Sequence, residues 1–475
     1  MARGGAARRV AHLTTHGAPD AVELQVTALV AGGDGLARHD GLAVFVPRTA
    51  VGDSVRARLR LRGRFARAAV ESVLVASPDR VDAPCVHYTR DGCGGCQWQH
   101  VSLDAQRAAK ARIVADAFER VGRQPIARPV VHGDAQPFGY RRTVRFTVRG
   151  RGAARVGGFH GANDPDHVVD VATCALAESA LQAAWSAVRS GLARLPVTRV
   201  PSAPTRGASS ASRVRRGRAA PLDDVQVTLR RLDDGSVALA VDGGAQWRDA
   251  DIAWFGRTVP RCRGIWWTPA RGARRLVWDA DAAVPLAPTV EAADALSLAA
   301  SFVQVNAGMA DQLHAHVLSV VRAWSPARVV DAYAGSGRLA LALQRDGVAV
   351  VAIERDAAAA AFASAQLAAQ VGPSPASVLT GAVEDRLGEA LPADVLVLNP
   401  PRGGCDARVC ETLSHPGRSS RPAPRAIVYV SCDPATLARD VSRLIGWRVR
   451  DVTCFDLFPQ TAHVETVCVL QPETT

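Results

Sequence analysis

Four short segments in the last third of the chain carry residues whose types and spacing could do chemistry. In Asp331-Ala332-Tyr333-Ala334-Gly335-Ser336-Gly337 an apolar strand runs into a glycine turn and then a helical run. Glycines let the backbone approach a ligand closely, and Glu354, closing the next strand, can accept both hydroxyls of a ribose. A dinucleotide enzyme can look similar, but the fuller G-x-G-x-x-G fingerprint is missing because position 340 is Ala. Leu398-Asn399-Pro400-Pro401-Arg402-Gly403 puts a polar side chain and a stiff turn where a buried strand stops, at the sheet edge where open α/β proteins bind ligands. Ser431-Cys432-Asp433-Pro434-Ala435-Thr436-Leu437-Ala438-Arg439-Asp440 places a thiol just past another apolar strand, ahead of a helix beginning near Ala435. A thiolate is a strong nucleophile, but a thiol of pKa ~8.5 needs help to ionise; the helix N-terminus and Arg439 are the groups at hand. A lone cysteine in such a place is otherwise a small buried apolar residue. The fourth segment, Phe458-Pro459-Gln460-Thr461-Ala462-His463-Val464-Glu465-Thr466, sets the Glu465 carboxylate close to His463.

A second set of reactive residues lies far upstream. Of ten cysteines, Cys85, Cys93 and Cys96 are clustered, Cys174 and Cys262 stand alone, and five follow residue 400. In a reducing cytoplasm such a cluster reads as a metal or iron–sulfur site, not a disulfide framework. Zinc and an iron–sulfur cluster both remain open on spacing. The C-x3-C-x2-C spacing of radical chemistry is absent, which disfavours a radical mechanism.

The surrounding elements say what must position these groups. A chain of 475 residues is too long for one ordinary core, so several domains are expected. Residues 1–20 read as a flexible basic leader. From Val22 to Val75 short alternating stretches are divided by turn signals such as Gly32-Gly33-Asp34-Gly35 and Asp40-Gly41, which predicts an OB-like β-barrel over residues 21–80. Within it Arg56, Arg58, Arg60, Arg62 and Arg64 recur at period two, with Val55, Ala57, Leu59 and Leu61 between them expected to face the core. One arginine face free of interspersed acid would bind a phosphate backbone better than it would serve as a solvated strand. Residues 81–290 form a central α+β domain. It has a helix over residues 103–122 with Ile113, Val114, Ala117, Phe118 and Val121 on its apolar side, a basic strand with Arg142, Arg145 and Arg149, an inserted loop at 202–218, and paired strands at Val225–Leu229 and Val237–Val241. Residues 291–475 alternate strands and helices, the pattern of a mainly parallel sheet covered on both faces.

Composition sets the class. Net charge is +12, and a basic chain attracts polyanions, of which nucleic acid is the commonest. The weight of that charge is reduced by a coding bias: every basic residue but Lys110 is arginine. No apolar run reaches the length of a membrane span, and no apolar core follows the N-terminal arginines as in a secretory signal, so a cytoplasmic monomer is expected.

Taken together, the four C-terminal segments resemble the RNA 5-methyluridine methyltransferases, whose pattern runs aspartate-hydrophobic-aromatic-x-glycine-x-glycine, D-P-P-R-x-G, S-C-N-P-A-T-x-x-R-D and F-P-x-T-x-H-x-E. The second corresponds to Asn399 to Gly404, and Phe302-Val303-Gln304-Val305-Asn306 is similar to the family's F-x-Q-x-N segment. The resemblance implies a Rossmann-like class I domain at the C-terminus that uses S-adenosylmethionine. Its expected contacts are Gln304, Tyr333, Gly335, Gly337, Glu354 and Asn399, with Cys432 as nucleophile on uracil C6 and Glu465 as the base at C5. It further implies a TRAM domain at residues 21–80 and a [4Fe–4S] cluster held by Cys85, Cys93, Cys96 and Cys174. The substrate would be RNA, ribosomal in preference to transfer RNA, because transfer-RNA members usually lack barrel and cluster. The chain departs from the pattern in three places: a longer first cysteine interval, Asn399 for the usual aspartate, and Ala382 where many relatives carry a polar residue near the adenine. Two other readings compete. An amino-methyltransferase of N-P-P type on RNA leaves Cys432 and Glu465 unexplained, and Arg402 stands where its aromatic would be. A non-catalytic RNA-binding relative leaves the pairing of Cys432 with Glu465 unexplained.

Overall fold

The computed structural model describes residues 21–197, 224–281, 304–370, 374–414 and 422–473. The leader 1–20 and the loop 202–218 therefore lie outside the described residues. The chain divides into two compact units, one ending at Arg80 and the other beginning at Val81.

In the first unit, residues 22–75 form a six-stranded sheet in the order Val22–Gln25, Ser54–Arg62, Phe65–Val75, Leu42–Val46, Gly35–His39, Ala28–Leu29. Period-two alternation puts Val55 and Ala57 into a core with Leu24, Val44 and Ala66. Two expectations for this strand need correction. Leu61 is 58% exposed, because the hairpin tip runs past the core. The arginine face is also not free of acids: Arg56 pairs with Glu23 and Arg58 with Glu71, both on adjacent strands. Arg60 and Arg62 extend toward the exposed tip, and Arg64 is in the turn.

The second unit holds two sheets. The central one has seven strands in the order Val168–Asp170, Val156–His160, Thr143–Arg149, Val225–Arg231, Val237–Asp242, Cys262–Thr268, Arg275–Asp279. Helices Ser179–Ser190 and Asp249–Thr258 bury Trp185 and Phe255 against it. The strand expected to be basic is largely neutralised. Arg142, Arg145 and Arg149 pair with Asp233, Asp242 and Asp224, which the antiparallel neighbours bring alongside.

The C-terminal sheet has seven strands labelled in chain order: β1 (Arg328–Ala332), β2 (Ala349–Glu354), β3 (Ala376–Thr380), β4 (Val395–Leu398), β5 (Ala426–Ser431), β6 (Trp447–Phe455) and β7 (Glu465–Pro472). Their spatial order is β3-β2-β1-β4-β5-β7-β6, with Val131–His132 added beside β6. β1 to β5 run parallel, and β7 runs antiparallel between β5 and β6. Alternate strand residues feed two cores. Val329, Val395 and Val397 face helices Ala307–Arg322 and Arg338–Arg345, while Val330, Leu396 and Leu398 face helices Val383–Ala390, Ala407–Leu413 and Pro434–Arg443. This is the doubly covered, mainly parallel α/β domain that the sequence pattern predicts. Helix Leu103–Arg120 joins the second of these cores through Val114 and Phe118, so an element placed by sequence in the central domain buttresses the C-terminal one. Val121, expected on its buried side, is the helix's C-cap and is exposed.

Candidate active site

The strand order reverses at β1, and the carboxyl ends of β1, β2, β4 and β5 open on one edge, the place where such sheets bind ligands. Tyr333, directly after β1, takes a left-handed backbone at φ 64°, followed by Gly335 at φ 56° and Gly337 at φ 76°. Above Gly335 there is open space, whereas a Cβ at Gly337 would lie 2.8 Å from Ala363. The first glycine leaves room for a ligand, and the second lets the following helix pack. Glu354 at the end of β2 accepts N–H bonds from Gly335 (2.8 Å) and Asp356 (2.7 Å), which leaves lone pairs on both oxygens. Asp331 is fully buried beneath this turn, with Oδ2 lacking a hydrogen-bond partner among the described residues, and burial pushes its carboxyl up to about 7. Asn399 is exposed at the end of β4. Gln304 is half-buried, three residues before helix Ala307–Arg322. Its neighbours are tied to the central sheet: Val305 O accepts from Arg142 N (2.8 Å), and Asn306 bridges Arg141.

The loop after β4 is held by the helix after β5. Asp440, fully buried, accepts from Cys405 N and from the Tyr429 hydroxyl, both at 2.8 Å, and pairs with Arg439. Arg439 also donates to Gly403 O at 2.8 Å. Gly404 must be glycine here, since a Cβ would lie 2.3 Å from the Asp440 carboxylate. Arg439 is thus engaged with the loop and is not the group that assists Cys432.

Cys432 follows β5 directly, in a turn closed by a Ser431 hydroxyl that accepts from Asp433 N and by Asp433 capping helix Pro434–Arg443. The antiparallel register pairs Ser431 with Thr466. One step further, Cys432 faces Glu465, the first residue of β7. The thiol's pKa is raised by burial and by the nearby Glu465, against which Arg402 acts by charge and hydrogen bond. Arg402 is the residue that sequence reasoning passed over: it stands in the Asn-Pro-Pro loop, and only the fold brings it to Cys432. Glu465 is buried with Oε2 lacking a partner among the described residues. Burial pushes its carboxyl up to about 7, with Arg402 opposing. His463 is exposed, its pKa lowered by burial of the ring and by Arg402, Lys110 and Arg141.

Cys85, Cys93, Cys96 and Cys174 line one cavity of about 280 Å³ together with His87, Arg141 and Phe159. The loop around Cys93 is stitched to the hairpin Val156–His160 by Gly94 N to His160 O and Ala162 N to Gly92 O, both at 2.9 Å. His87 Nε2 accepts from Ala172 N, holding the chain just ahead of Cys174. Burial raises the Cys96 thiol to about 12 and raises that of Cys174 as well. Among the described residues, no group of three or more His, Cys, Asp or Glu side chains forms a set that could hold one metal ion.

Comparison with known proteins followed this geometry. Residues 386–473 match the family model described as tRNA (uracil-5-)-methyltransferase. An RNA methyltransferase of Gloeobacter violaceus is 33% identical, over 95% of this chain and 96% of its own. The 23S rRNA (uracil(1939)-C(5))-methyltransferase RlmD of Chromohalobacter salexigens is 30% identical, over 95% of this chain and 89% of its own. The Pyrococcus abyssi tRNA (uracil-54, C5)-methyltransferase, solved with S-adenosyl-L-homocysteine, is similar in fold. Its TM-score is 0.62 at 18% identity, with 94% of this chain and 100% of that chain covered.

The placement of Arg402 makes a direct prediction. Arg402→Ala removes the group that offsets burial at Cys432, so the pH for half-maximal alkylation of Cys432 by iodoacetamide should rise. Peptide mass spectrometry across a pH series reads this. An unchanged profile would show that Arg402 does not act on the thiol.

Proposed function

The chain belongs to the family of S-adenosylmethionine-dependent RNA uracil-C5 methyltransferases, and on that footing we propose that it methylates a uridine of ribosomal RNA through a thioether adduct between Cys432 and uracil C6. The observation that carries the mechanism is the convergence of Cys432, Glu465 and Arg402 at the ends of β5, β7 and the loop after β4. The relatives named as 23S ribosomal RNA enzymes favour ribosomal over transfer RNA.

Uracil C5 is a poor nucleophile. Attack of the Cys432 thiolate on C6 forms a C–S bond and moves the C5–C6 π pair toward O4, leaving an enolate whose C5 can accept a methyl group. S-adenosylmethionine, when bound, supplies that methyl as an electrophile. Tyr333, Gly335, Gly337, Glu354, Asn399 and Gln304 are the residues assigned to hold it. The open space over Gly335, the lone pairs of Glu354 and the orphaned Asp331 Oδ2 fit such a ligand. Glu465 then takes the C5 proton, the electron pair re-forms the C5–C6 bond, the C–S bond breaks and the thiolate leaves. Arg402 supports two successive anions, first the thiolate and then the Glu465 carboxylate. The amino-methyltransferase alternative fails on the same residue, because Arg402 replaces the stacking aromatic and is engaged with Cys432.

The six-stranded N-terminal sheet is read as a TRAM-like RNA-binding barrel, with Arg60, Arg62 and Arg64 at its exposed tip as the phosphate contacts. The four-cysteine cavity is read as the seat of a [4Fe–4S] cluster. Zinc held by the same four thiolates is the competing reading. A cubane spreads its ligands over four corners, as lining a cavity would. These cysteines would give the middle of the chain a structural tie between Cys96 and Cys174.

The central test is covalent. Cys432→Ala should abolish formation of 5-methyluridine and of a denaturation-stable adduct with 5-fluorouridine RNA, while S-adenosylmethionine still binds. Retained methylation above a few per cent overturns the nucleophile. Glu465→Gln should methylate but stall, so that a methylated covalent adduct accumulates. In the unsubstituted protein the decay of that adduct should rise with pH around about 7, where Glu465 loses its proton, and not around the ordinary carboxylate value. The same shift fixes the sign for stability. A carboxyl whose folded pKa is raised favours the fold most below its unfolded pKa and loses that contribution as pH rises toward about 7. Glu465→Gln should therefore be at least as thermostable as the parent above pH 7.

Anaerobically purified protein should carry about four irons per chain and absorb broadly near ~400 nm, as four-thiolate cubane ligation implies. Cys174→Ser should lose that iron. Stoichiometric zinc without iron would remove the cluster and leave the methyltransferase assignment in place.

A further inference from the structure

We infer that Gln106 and Lys110, one turn apart on helix Leu103–Arg120, are positioning residues that hold the loop Asp456–Gln460 and thereby set Glu465 for the elimination half of the reaction. The inference rests on the proposed role of Glu465 as the base. It comes from a set of buried polar contacts that no step of the mechanism uses.

Between β6 and β7 the chain must turn from Phe455 to Glu465, and this turn is tied down from outside the C-terminal sheet. Lys110 and Asp456, both completely buried, form an ion pair. The Lys110 ammonium also donates to Phe458 O at 3.1 Å. Asp456 N donates to His132 O at 2.7 Å, and the Tyr140 hydroxyl donates to Pro459 O at 3.0 Å. At Gln460 the grip is closest. Its backbone N donates to Gln106 Oε1 (2.9 Å), its side-chain Oε1 accepts from Gln106 Nε2 (3.0 Å), and its carbonyl accepts from Gln97 N and Trp98 N, both at 3.0 Å. Gln460 has φ 70°, a left-handed conformation unusual for a residue with a side chain. Those four contacts fix it there. Thr461 continues the chain of contacts, donating to Phe458 O at 2.8 Å and accepting from His463 N at 3.3 Å. Glu465 follows with an unpartnered oxygen, so its own side chain contributes little to its orientation. The loop that delivers it must do so.

The composition of the chain points to the same place. Lys110 is its sole lysine, every other basic residue being arginine. An ammonium suits a closed pocket with one carboxylate oxygen and one carbonyl as acceptors; a guanidinium would bring five donors and a larger volume into that space.

Elimination is the step sensitive to this geometry, because Glu465 must reach the C5 proton, which becomes removable only once C5 is methylated and tetrahedral. Attack and methyl transfer depend on Cys432 and the β1 and β4 turns instead. Gln106→Leu, which removes both Gln460 contacts of that side chain and leaves the buried ion pair intact, separates the two halves. Full-length protein is tested on transcribed 23S ribosomal RNA, with uridine or with 5-fluorouridine, whose C5 offers no proton to remove. With 5-fluorouridine RNA the adduct should form within about threefold of the parental rate. With uridine RNA a methylated adduct should accumulate and decay about tenfold or more slowly, the scale expected from an ångström-sized misplacement of a catalytic group. Lys110→Arg serves as the second variant and should slow decay similarly if it folds. Parental decay in Gln106→Leu overturns the inference, as does equal slowing of adduct formation and decay. Glu465→Gln run in parallel keeps the two claims distinct. If it accumulates adduct and Gln106→Leu does not, positioning is wrong and the base is right; if it accumulates none, the base itself is wrong.

Discussion

The buried pair of Lys110 and Asp456 is the constraint on which the arrangement of the site turns. Both side chains are fully enclosed, so each would be strongly unfavourable without the other. Such a pair adds little net stability over a well-packed apolar substitute, since desolvation offsets most of the attraction. What it confers is uniqueness of place. The ammonium finds its acceptors only at Asp456 and the Phe458 carbonyl, and any other course of the chain between β6 and β7 would leave a charge buried alone. That requirement fixes where β7 begins, and hence that Glu465 lies opposite the residue following β5.

The charges at the reaction centre are arranged in sequence, not in balance. Burial and Glu465 both hold the Cys432 thiol up, and Arg402 alone among its neighbours draws it down. Two acids that share one cation each make the other harder to ionise. With Glu465 held up to about 7 by burial, the guanidinium can serve the thiolate while the carboxyl is neutral. Once sulfur is bound to carbon its charge is gone, and Arg402 is released to favour the carboxylate. In the proposed mechanism a nucleophile and a base that would compete if present at once would in this way be used in turn.

Much of this could be read from the sequence, and the boundary of what could is physical. The β1 to β5 core was legible because strands buried on both faces read as continuous apolar runs, such as Val395–Leu398 and Ala426–Ser431, ended by glycine or proline. Cys432 and Glu465 were singled out by their motifs, and the antiparallel pairing of β5 with β7 brings them together. Arg402 in its role was not, because its meeting with Cys432 depends on the loop fixed by Asp440 and Gly404. Charge pattern was the least reliable guide. The arginine periodicity of Ser54–Arg62 was plain, but the acids that neutralise part of it, Glu23 and Glu71, lie on neighbouring strands. The same holds for Arg142, Arg145 and Arg149, whose aspartates come from the far side of the long insertion. Period two locates a face; only pairing register shows what that face meets.

The dependence of the catalytic loop on residues 97–140 also explains why a region with its own sheet and its own cysteine cavity is built into the same compact unit as the methyltransferase fold. Gln97 and Trp98 follow Cys96 directly, and their amides close on the Gln460 carbonyl. Trp98 is completely buried beside Lys110. The backbone that carries three of the four cavity thiols therefore ends on the loop that delivers the base. The Cys93 loop is anchored at its other side to the hairpin Val156–His160, and through Arg142 and Val305 the same sheet reaches the segment bearing Gln304. Whatever orders the cavity therefore also bears on both flanks of the site through main-chain hydrogen bonds. The loop that leads into Glu465 borrows its backbone geometry from a region outside the C-terminal sheet, so the precision of the proposed chemistry would depend on packing that the C-terminal domain does not supply by itself.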